Sequence, residues 1–239
     1  MKGTFGGKIA LVAGGTGGLG RAVSLAFLEE DAKVTVTYRK PEELGALKKA
    51  AGAKSISLEG ERVDVTDEIA VAQLIEKIVA QHGRLDAMVN TVGGYAGGTK
   101  LWELDSKVFE QMLALNLSSC YALARAAARV MLKQGNGAIV NVASKAAVDH
   151  GGGAAAYSAS KAAAVALMDS LAADLKGSCV RVNSVLPSII DTEANRKAMP
   201  KADFAKWPKP DDIARVILFL CSEQAKVIHG AAVPVYGDS

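Results

Sequence analysis

The sequence has little of several features that define whole classes of protein. It has three cysteines in 239 residues, Cys120, Cys179 and Cys221, widely spaced and without a C-x-x-C pair. That number and spacing exclude a disulfide framework and a cysteine zinc site, so we expect packed or partly exposed thiols and no metal. The longest apolar runs fall well short of the roughly 20 residues needed to cross a bilayer. We therefore expect a soluble, cytoplasmic protein.

The sequence also lacks a large excess of either positive or negative charge. The formal net charge is +3, and no run of Lys and Arg is interleaved with aromatic residues. Nucleic-acid and anionic membrane surfaces select proteins with a concentrated basic patch. The sequence therefore indicates neither a nucleic-acid nor a membrane partner, and a small-molecule substrate is the expectation.

What the chain does have is apolar residues and glycine. Half of the residues are apolar, 24 are glycine and only 5% are aromatic, a composition typical of helices packed closely on a sheet. No internal repeat, low-complexity tract or Pro/Ser-rich linker offers a boundary. We expect residues 1–239 to form one domain.

Short β-branched runs alternate along the chain with longer segments of helical periodicity. The predicted strands are 8–13, 33–38, 55–63, 85–92, 138–143, 180–186 and 233–236. The predicted helices are 21–30, 68–82, 107–133, 159–176 and 211–221, with Asp67 and Asp211 as helix starts. The strands are almost continuously apolar, as a sheet covered on both faces requires. The pattern predicts a doubly wound α/β domain of about seven parallel strands.

A glycine-rich loop follows the first predicted strand and precedes a helix. Glycine at these positions lets backbone N–H groups approach a pyrophosphate, and the helix N-terminus adds favourable partial charge. Strand, loop and helix occur in the order that this chemistry needs. We predict nucleotide binding by the loop, with contacts from Gly14, Thr16, Gly17, Gly18, Leu19 and Gly20.

The end of the second strand bears on which dinucleotide is bound. The sequence there reads Thr37-Tyr38-Arg39-Lys40 and has no carboxylate to hold a ribose 2′-hydroxyl. Arg39 and Lys40 can pair with a 2′-phosphate, which favours NADP(H) over NAD(H) while leaving NAD(H) possible. The alternative is that both cations are ordinary surface residues.

A phenol and an amine stand four residues apart at Tyr157 and Lys161, so they share one face of a helix. A tyrosine with a pKa of about 10 needs a neighbouring cation to exchange protons near neutrality. Ser144 lies at the end of the fifth predicted strand, at the sheet edge that holds ligands in parallel sheets. Asn116 lies in the preceding helix.

Together these residues resemble the classical short-chain dehydrogenases/reductases over essentially the whole chain. Gly14, Gly18 and Gly20 follow that family's G-x-x-x-G-x-G spacing. The resemblance implies a Rossmann-type fold and a catalytic tetrad with these roles: Tyr157 is the general acid, Ser144 binds the carbonyl oxygen, Lys161 lowers the tyrosine pKa and binds ribose, and Asn116 supports a water relay.

The same resemblance implies further cofactor contacts. Asp64 and Val65 match the position beside the adenine ring, and Asn90-Thr91-Val92-Gly93 matches the fourth-strand motif through Asn90 and Gly93. The segment from Pro187 to Thr192 matches the nicotinamide-binding stretch, with contacts expected at Pro187, Ile190 and Thr192. Ser188 stands where the family has glycine, which puts that loop's conformation in question because only glycine freely visits positive φ.

Two stretches are candidate active-site loops: Gly151 to Gly153, and residues 191–210, which we interpret as a substrate lid. The alternative is that residues 191–210 are an ordinary solvent-exposed connection without a role at the site. Residues 92–98 and 191–207 also resemble dihydropteridine reductases, which reduce a quinonoid pterin and prefer NADH; Arg39 and Ser144 argue against full equivalence. A cofactor-sensing protein without turnover is a hypothesis of another class. The resemblance further implies a homotetramer or homodimer, and Ala126-Ala127-Ala128 is a candidate contact.

Overall fold

A computed structural model describes residues 3–239 and has one parallel sheet at its centre. The strand order is β3-β2-β1-β4-β5-β6-β7, and every neighbouring pair runs parallel. The predicted seven-stranded, doubly wound α/β fold is confirmed. The strands are β1 Ile9–Ala13, β2 Lys33–Thr37, β3 Leu58–Glu61, β4 Ala87–Asn90, β5 Gly137–Val142, β6 Val180–Pro187 and β7 Ala231–Val235.

Among residues 3–239, eight α-helices connect the strands. They are α1 Gly18–Glu29, α2 Pro41–Ala51, α3 Glu68–His82, α4 Ser106–Leu113, α5 Ser119–Gln134, α6 Ala155–Asp174, α7 Glu193–Ala198 and α8 Pro210–Cys221. The helix expected over 107–133 is divided into α4 and α5 by a π-helical turn at Ala114–Ser118. Helices α2 and α7 were not predicted, since α2 buries a single side chain, Leu47, and α7 buries none.

Helix starts are partly as expected. The Asp67 carboxylate caps α3 by accepting hydrogen bonds from the N–H groups of Ile69 and Ala70. The expectation for Asp211 is wrong: α8 begins at Pro210, whose fixed φ suits the first helical position, and Asp211 lies in the first turn. Helix α6 begins at Ala155 rather than residue 159, so the catalytic candidate Tyr157 lies in its first turn.

Two buried layers cover the sheet. On β1, Ala10 and Val12 face the layer of α1 and α8, whereas Leu11 faces the layer of α3, α5 and α6. All three side chains are fully buried, as expected for a parallel sheet covered on both faces. The Ala-rich stretch of α5 belongs to the second layer. Ala127 and Ala128 are buried within this chain, so they are not free to contact a second subunit.

The sheet has one topological switch point, and it determines where a ligand is expected. Strand β1 pairs with β2 on one side and with β4 on the other, so the connections leaving the carboxyl ends of these strands diverge. In open α/β sheets the crevice formed there binds the ligand. The glycine loop after β1 and the motif after β4 both open onto this crevice.

The cysteines match the expectation of packed or exposed thiols: Cys120 and Cys221 are buried, Cys179 is exposed, and all three are free. Across residues 3–239, no helix combines the length and apolarity needed to cross a membrane.

The opposite, amino-terminal edge of the sheet is held by a buried carboxylate, which gives a test of the fold. Asp86 accepts hydrogen bonds from the Ile9 N–H at 2.9 Å and the Arg84 Nε at 2.8 Å, and lies 3.3 Å from the Lys8 amine. We expect Asp86→Ala to lower the free energy of unfolding by roughly 3 kcal/mol, because it leaves a buried N–H unpaired and two cations without their partner. Urea denaturation measures this loss. Asp86→Asn, which keeps an acceptor, is expected to lose less; equal stability of all three proteins would contradict the assignment.

Candidate active site

The glycine loop is built so that backbone, not side chains, faces the crevice. Gly14 has φ +73°, which favours glycine. Its N–H donates to Thr37 Oγ1 at 2.8 Å, and its carbonyl oxygen accepts from the Gly17 N–H at 3.0 Å. A Cβ on Gly20 would lie 2.1 Å from the Gly14 carbonyl oxygen. The loop therefore keeps its tight turn only with glycine at these two positions.

The start of α1 supplies the anion-binding end of this loop. Gly17 is the N-cap and provides no side-chain cap, so the first N–H groups of the helix have no intrahelical or side-chain partner and are available to an anion. A Cβ on Gly18 would lie 2.8 Å from Thr192 Cγ2, so the loop and the segment after β6 meet here. The residues present fit the pyrophosphate of a dinucleotide, because they form a narrow cradle of backbone N–H donors. The Thr192 side chain lies at the edge of this cradle.

The end of β2 carries the expected cations together with an acid that sequence reasoning missed. Arg39 and Lys40 are exposed. Glu43 in α2 accepts a hydrogen bond from Thr16 Oγ1 at 3.1 Å and lies 3.9 Å from the Lys40 amine. Lys40 is thus partly neutralised, whereas Arg39 has no ion pair among the described residues. Arg39 is the cation at this edge that is free to meet a phosphate.

The side chains of Asp64 and Asn90 are both fixed by hydrogen bonds to other residues of the protein. Asp64 accepts from the N–H and hydroxyl of Thr66, and these bonds, followed by the nearby Arg39 charge, lower the pKa of its carboxyl group. The Asn90 side chain donates to Asn141 Oδ1 at 3.0 Å and accepts from the Val92 N–H at 3.0 Å. Asn90 therefore ties β4 to β5 and shapes the turn that leads to Gly93.

Asn116 occupies the π-helical turn and is buried. Its Oδ1 accepts from the Gly94 N–H at 3.0 Å, and its Nδ2 donates to the Gly94 carbonyl at 3.1 Å and to Ser160 Oγ at 3.0 Å. Ser160 in turn donates to the carbonyl of Tyr157 at 2.8 Å. Asn116 thus joins the loop after β4 to the helix of the tyrosine. Its amide donors are occupied by these contacts, and its expected support of a water relay stays a prediction.

Ser144 lies close enough to Tyr157 for its hydroxyl to lower the pKa of the phenol. Ser144 also caps the short turn after β5 by accepting from the Ala146 N–H at 3.1 Å. The edge of the Tyr95 ring packs against Tyr157, with centroids 5.0 Å apart and planes at 77°. Burial raises the pKa of Tyr157, the Ser144 hydrogen bond opposes this, and Tyr95 adds to it.

Lys161 places a charged group in the interior of the site. Its side chain is buried, and its amine donates to the Val142 carbonyl at 2.9 Å. A Cβ on Gly93 would lie 3.0 Å from this amine and 2.8 Å from Asn116 Oδ1, so glycine at position 93 leaves the space that Lys161 fills. Burial lowers the pKa of Lys161 to about 8, while the neighbouring Cys120 thiol raises it slightly.

The expected lowering of the tyrosine pKa by Lys161 is not seen here. The amine is directed to the Val142 carbonyl, and burial dominates the Tyr157 environment. The pKa of Lys161 is lowered instead, because the free-energy cost of desolvating its charge exceeds the stabilisation of that charge by neighbouring groups.

The segment after β6 answers the question raised by Ser188. Among residues 3–239 the non-glycine residues with positive φ are Asp31 and Cys179, so Ser188 adopts an ordinary backbone conformation and the serine causes no strain. The Ile190 carbonyl accepts from the Thr192 N–H and from Asn195 Nδ2, each at 2.8 Å. Thr192 caps α7, with its hydroxyl accepting from the Asn195 N–H at 3.2 Å.

Residues 191–210 are held together by their own contacts. Arg196 forms an ion pair with Asp191 and lies 4.9 Å from the centre of the Phe204 ring. Phe204 packs against Trp207 at 5.0 Å, and Trp207 is buried. The segment contains α7 and an aromatic pair in which Trp207 is buried and Phe204 is half-buried, rather than irregular chain alone. Its role as a substrate lid stays a prediction.

The glycine run Gly151 to Gly153 lines a cavity of about 780 Å³ together with Trp102, Ser158 and other residues of the 98–102 segment and of α6. Neither Ser144 nor Tyr157 lines this cavity. It therefore lies beside the reacting groups rather than around them. His150 also borders the cavity.

Three residues of the site escaped sequence reasoning: Tyr95, Ser160 and Glu43. Ser160 stands inside the Tyr157–Lys161 spacing, but a serine there carries no signal of its contact with Asn116. Glu43 belongs to the unpredicted α2. Tyr95 lies in a glycine-rich stretch that gave no indication of its packing on Tyr157.

The buried amine makes a sharp prediction for stability. Because the pKa of Lys161 is about 8 in the fold and 10.5 is its ordinary value, the unfolded chain binds more protons between these pH values, and the wild type gains stability as pH rises. Relative to Lys161→Met, that gain is expected to reach roughly 3 kcal/mol between pH 7 and pH 10.5. Urea unfolding of both proteins across this range measures it, with exposed Lys176→Met as the control for charge removal. A constant difference between wild type and Lys161→Met would contradict the buried, charge-destabilised amine.

Comparison with known proteins agrees with this geometry. The model of the short chain dehydrogenase family matches residues 8–203. D-threitol dehydrogenase of Mycolicibacterium smegmatis is 34% identical, with 97% of this chain and 92% of the relative covered. The 3-oxoacyl-[acyl-carrier-protein] reductase FabG of Thermotoga maritima is 30% identical, with 97% of each covered.

Solved structures show the same relation. ElxO with NADP bound superimposes with a TM-score of 0.91 at 29% identity, covering 96% of this chain and 97% of ElxO. NAD⁺-bound xylitol dehydrogenase gives a TM-score of 0.89 at 26% identity, covering 98% and 99%. With the family match spanning most of the sequence and the fold shared along its whole length, this chain belongs to the short-chain dehydrogenase/reductase family of oxidoreductases.

Proposed function

We propose that this protein interconverts a carbonyl and an alcohol on a small substrate, with NADP(H) as its preferred hydride carrier. The observation that carries the proposal is the meeting of Ser144, Tyr157, Lys161 and Asn116 at the carboxyl edge of the sheet, next to the backbone cradle after β1. Proton transfer and dinucleotide binding are thereby combined in one crevice.

Tyr157 is the proposed proton donor for reduction. The Ser144 hydroxyl is near enough to lower the pKa of this phenol, and a substrate carbonyl oxygen placed between the two hydroxyls would accept a hydrogen bond from each. A reduced nicotinamide held by the backbone cradle after β1 would supply the hydride for the carbonyl carbon. As negative charge develops on the oxygen, Tyr157 transfers its proton and Ser144 stabilises that charge through its hydrogen bond.

Lys161 provides the positive charge behind the tyrosine. Its amine lies against Gly93 and the Val142 carbonyl, within the crevice where the ribose of a dinucleotide is expected. With a pKa of about 8, it is mostly protonated at neutral pH, so its charge lies in the crevice beside the proposed proton donor.

The proposed substrates are ketones, including 3-oxoacyl thioesters. The 30% identity with a 3-oxoacyl thioester reductase supports this class, and the open cavity beside the catalytic hydroxyls has room for an extended chain. Reduction of a quinonoid pterin is the alternative. The Ser144–Tyr157 contact favours a carbonyl oxygen as the acceptor.

Tyr157→Phe separates catalysis from cofactor binding. The substitution removes only the hydroxyl, so we expect turnover to fall by about 10²-fold or more while the reduced dinucleotide binds nearly as before. Steady-state rates and the fluorescence of the bound reduced cofactor measure the two effects. Unchanged turnover would remove Tyr157 as the proton donor, and a wild type that binds the cofactor without any turnover would favour the sensor hypothesis.

Arg39→Ala tests the cofactor preference. Losing a charge-assisted contact to a 2′-phosphate is expected to lower kcat/KM with NADPH about tenfold, with little change for NADH. Arg129→Ala, an exposed cation on α5, serves as the control. Glu43→Gln, which removes the carboxylate near Lys40, is expected to change the ratio in the opposite direction. An equal loss with both cofactors would contradict the role given to Arg39.

A further inference from the structure

The residues after β7 fold back over the catalytic edge. Strands β6 and β7 pair from Asn183 with Ala231 to Pro187 with Val235, so Ser188 and Tyr236 leave neighbouring strand ends side by side. The Ser188 hydroxyl donates to the Tyr236 carbonyl at 2.6 Å. The Ser239 hydroxyl lies 2.7 Å from Ser188 Oγ and 2.9 Å from the same carbonyl. Glycine at position 188 would make neither side-chain contact.

The same tail reaches two other parts of the site. The Lys145 amine, one residue after Ser144, donates to the Ser239 carbonyl at 3.3 Å and lies 5.3 Å from the centre of the Tyr236 ring. The Asp238 N–H donates to the Lys206 carbonyl at 3.0 Å, within residues 191–210. The tail therefore joins the turn of Ser144, the loop of Ser188 and the segment that contains Trp207.

We propose that the contact of Ser188 with residues 236–239 is a latch that holds the nicotinamide-side loop in its cofactor-binding conformation, with Ser188 as a positioning residue. The latch rests on the proposed function, since it acts through the loop from Pro187 to Thr192. The hydroxyl contacts of Ser188 and Ser239 hold this loop to the tail, and the ammonium contact of Lys145 holds the tail to the turn of Ser144. The loop therefore loses less conformational freedom when the cofactor binds.

The first measurement is the Kd of NADPH, followed by the fluorescence of the bound reduced cofactor, which needs no substrate. Ser188→Ala and Ser188→Gly are expected to weaken binding about three- to tenfold, the loss of one or two neutral hydrogen bonds. Ser188→Thr keeps a hydroxyl and is expected to restore most of the affinity. Ser178→Ala is the control, because that hydroxyl donates to the Leu175 carbonyl at 2.6 Å before β6, at the opposite edge of the sheet.

A second measurement reports the conformation of the segment directly. The chain has two tryptophans, so Trp102→Phe leaves Trp207 alone, buried beside Lys206. In this background Ser188→Ala is expected to shift the Trp207 emission to longer wavelength, and Ser239→Ala to shift it less. The double variant Ser188→Ala/Ser239→Ala is expected to shift the emission further than Ser188→Ala alone, because the single variant keeps the contact of Ser239 with the Tyr236 carbonyl.

The outcomes separate the latch from the proposed function. Weaker NADPH binding with a shifted Trp207 emission, both reversed by threonine, is the expected result. Unaltered Kd and emission in every Ser188 variant would overturn the latch and leave the proposed function standing. Failure of the unsubstituted protein to bind either reduced dinucleotide would overturn the proposed function itself.

Discussion

The buried amine of Lys161 is the constraint on which the catalytic edge depends. A buried lysine needs a hydrogen-bond acceptor and a space shaped for its side chain. The Val142 carbonyl accepts one hydrogen bond from the ammonium group, and the missing side chain of Gly93 leaves the space. The Asn116 network then fixes the loop after β4 against α6. Because α6 also carries Tyr157, the same packing directs the phenol towards Ser144.

The cofactor side of the crevice follows from backbone geometry instead. Gly14 and Gly20 allow the loop after β1 to turn tightly into α1, whose uncapped N-terminus faces the crevice. The switch in strand order brings this loop beside the motif after β4. The groups proposed for anion binding and for proton transfer therefore lie on different elements, and the sheet fixes their relative positions.

Sequence patterns predicted the sheet and its two covered faces, because apolar strands are local signals. The four tetrad positions came from the family resemblance, and their catalytic roles stay predictions. The sequence patterns did not predict α2 and α7, which bury almost nothing, or the π-helical turn around Asn116, which interrupts an otherwise continuous helical pattern. Contacts such as Tyr95 on Tyr157 and Glu43 near Thr16 join residues far apart in sequence. Only the folded chain determines them, as it determines the direction of the Lys161 amine.

The most direct test of the account is to follow the oxidation of NADPH and of NADH separately while the purified protein is offered a 3-oxoacyl thioester, simple ketones and a quinonoid dihydropterin. We expect the protein to oxidise NADPH in preference to NADH when it is offered a ketone or a thioester. Preferential reduction of the pterin, or no oxidation of either cofactor with any of these substrates, would contradict it.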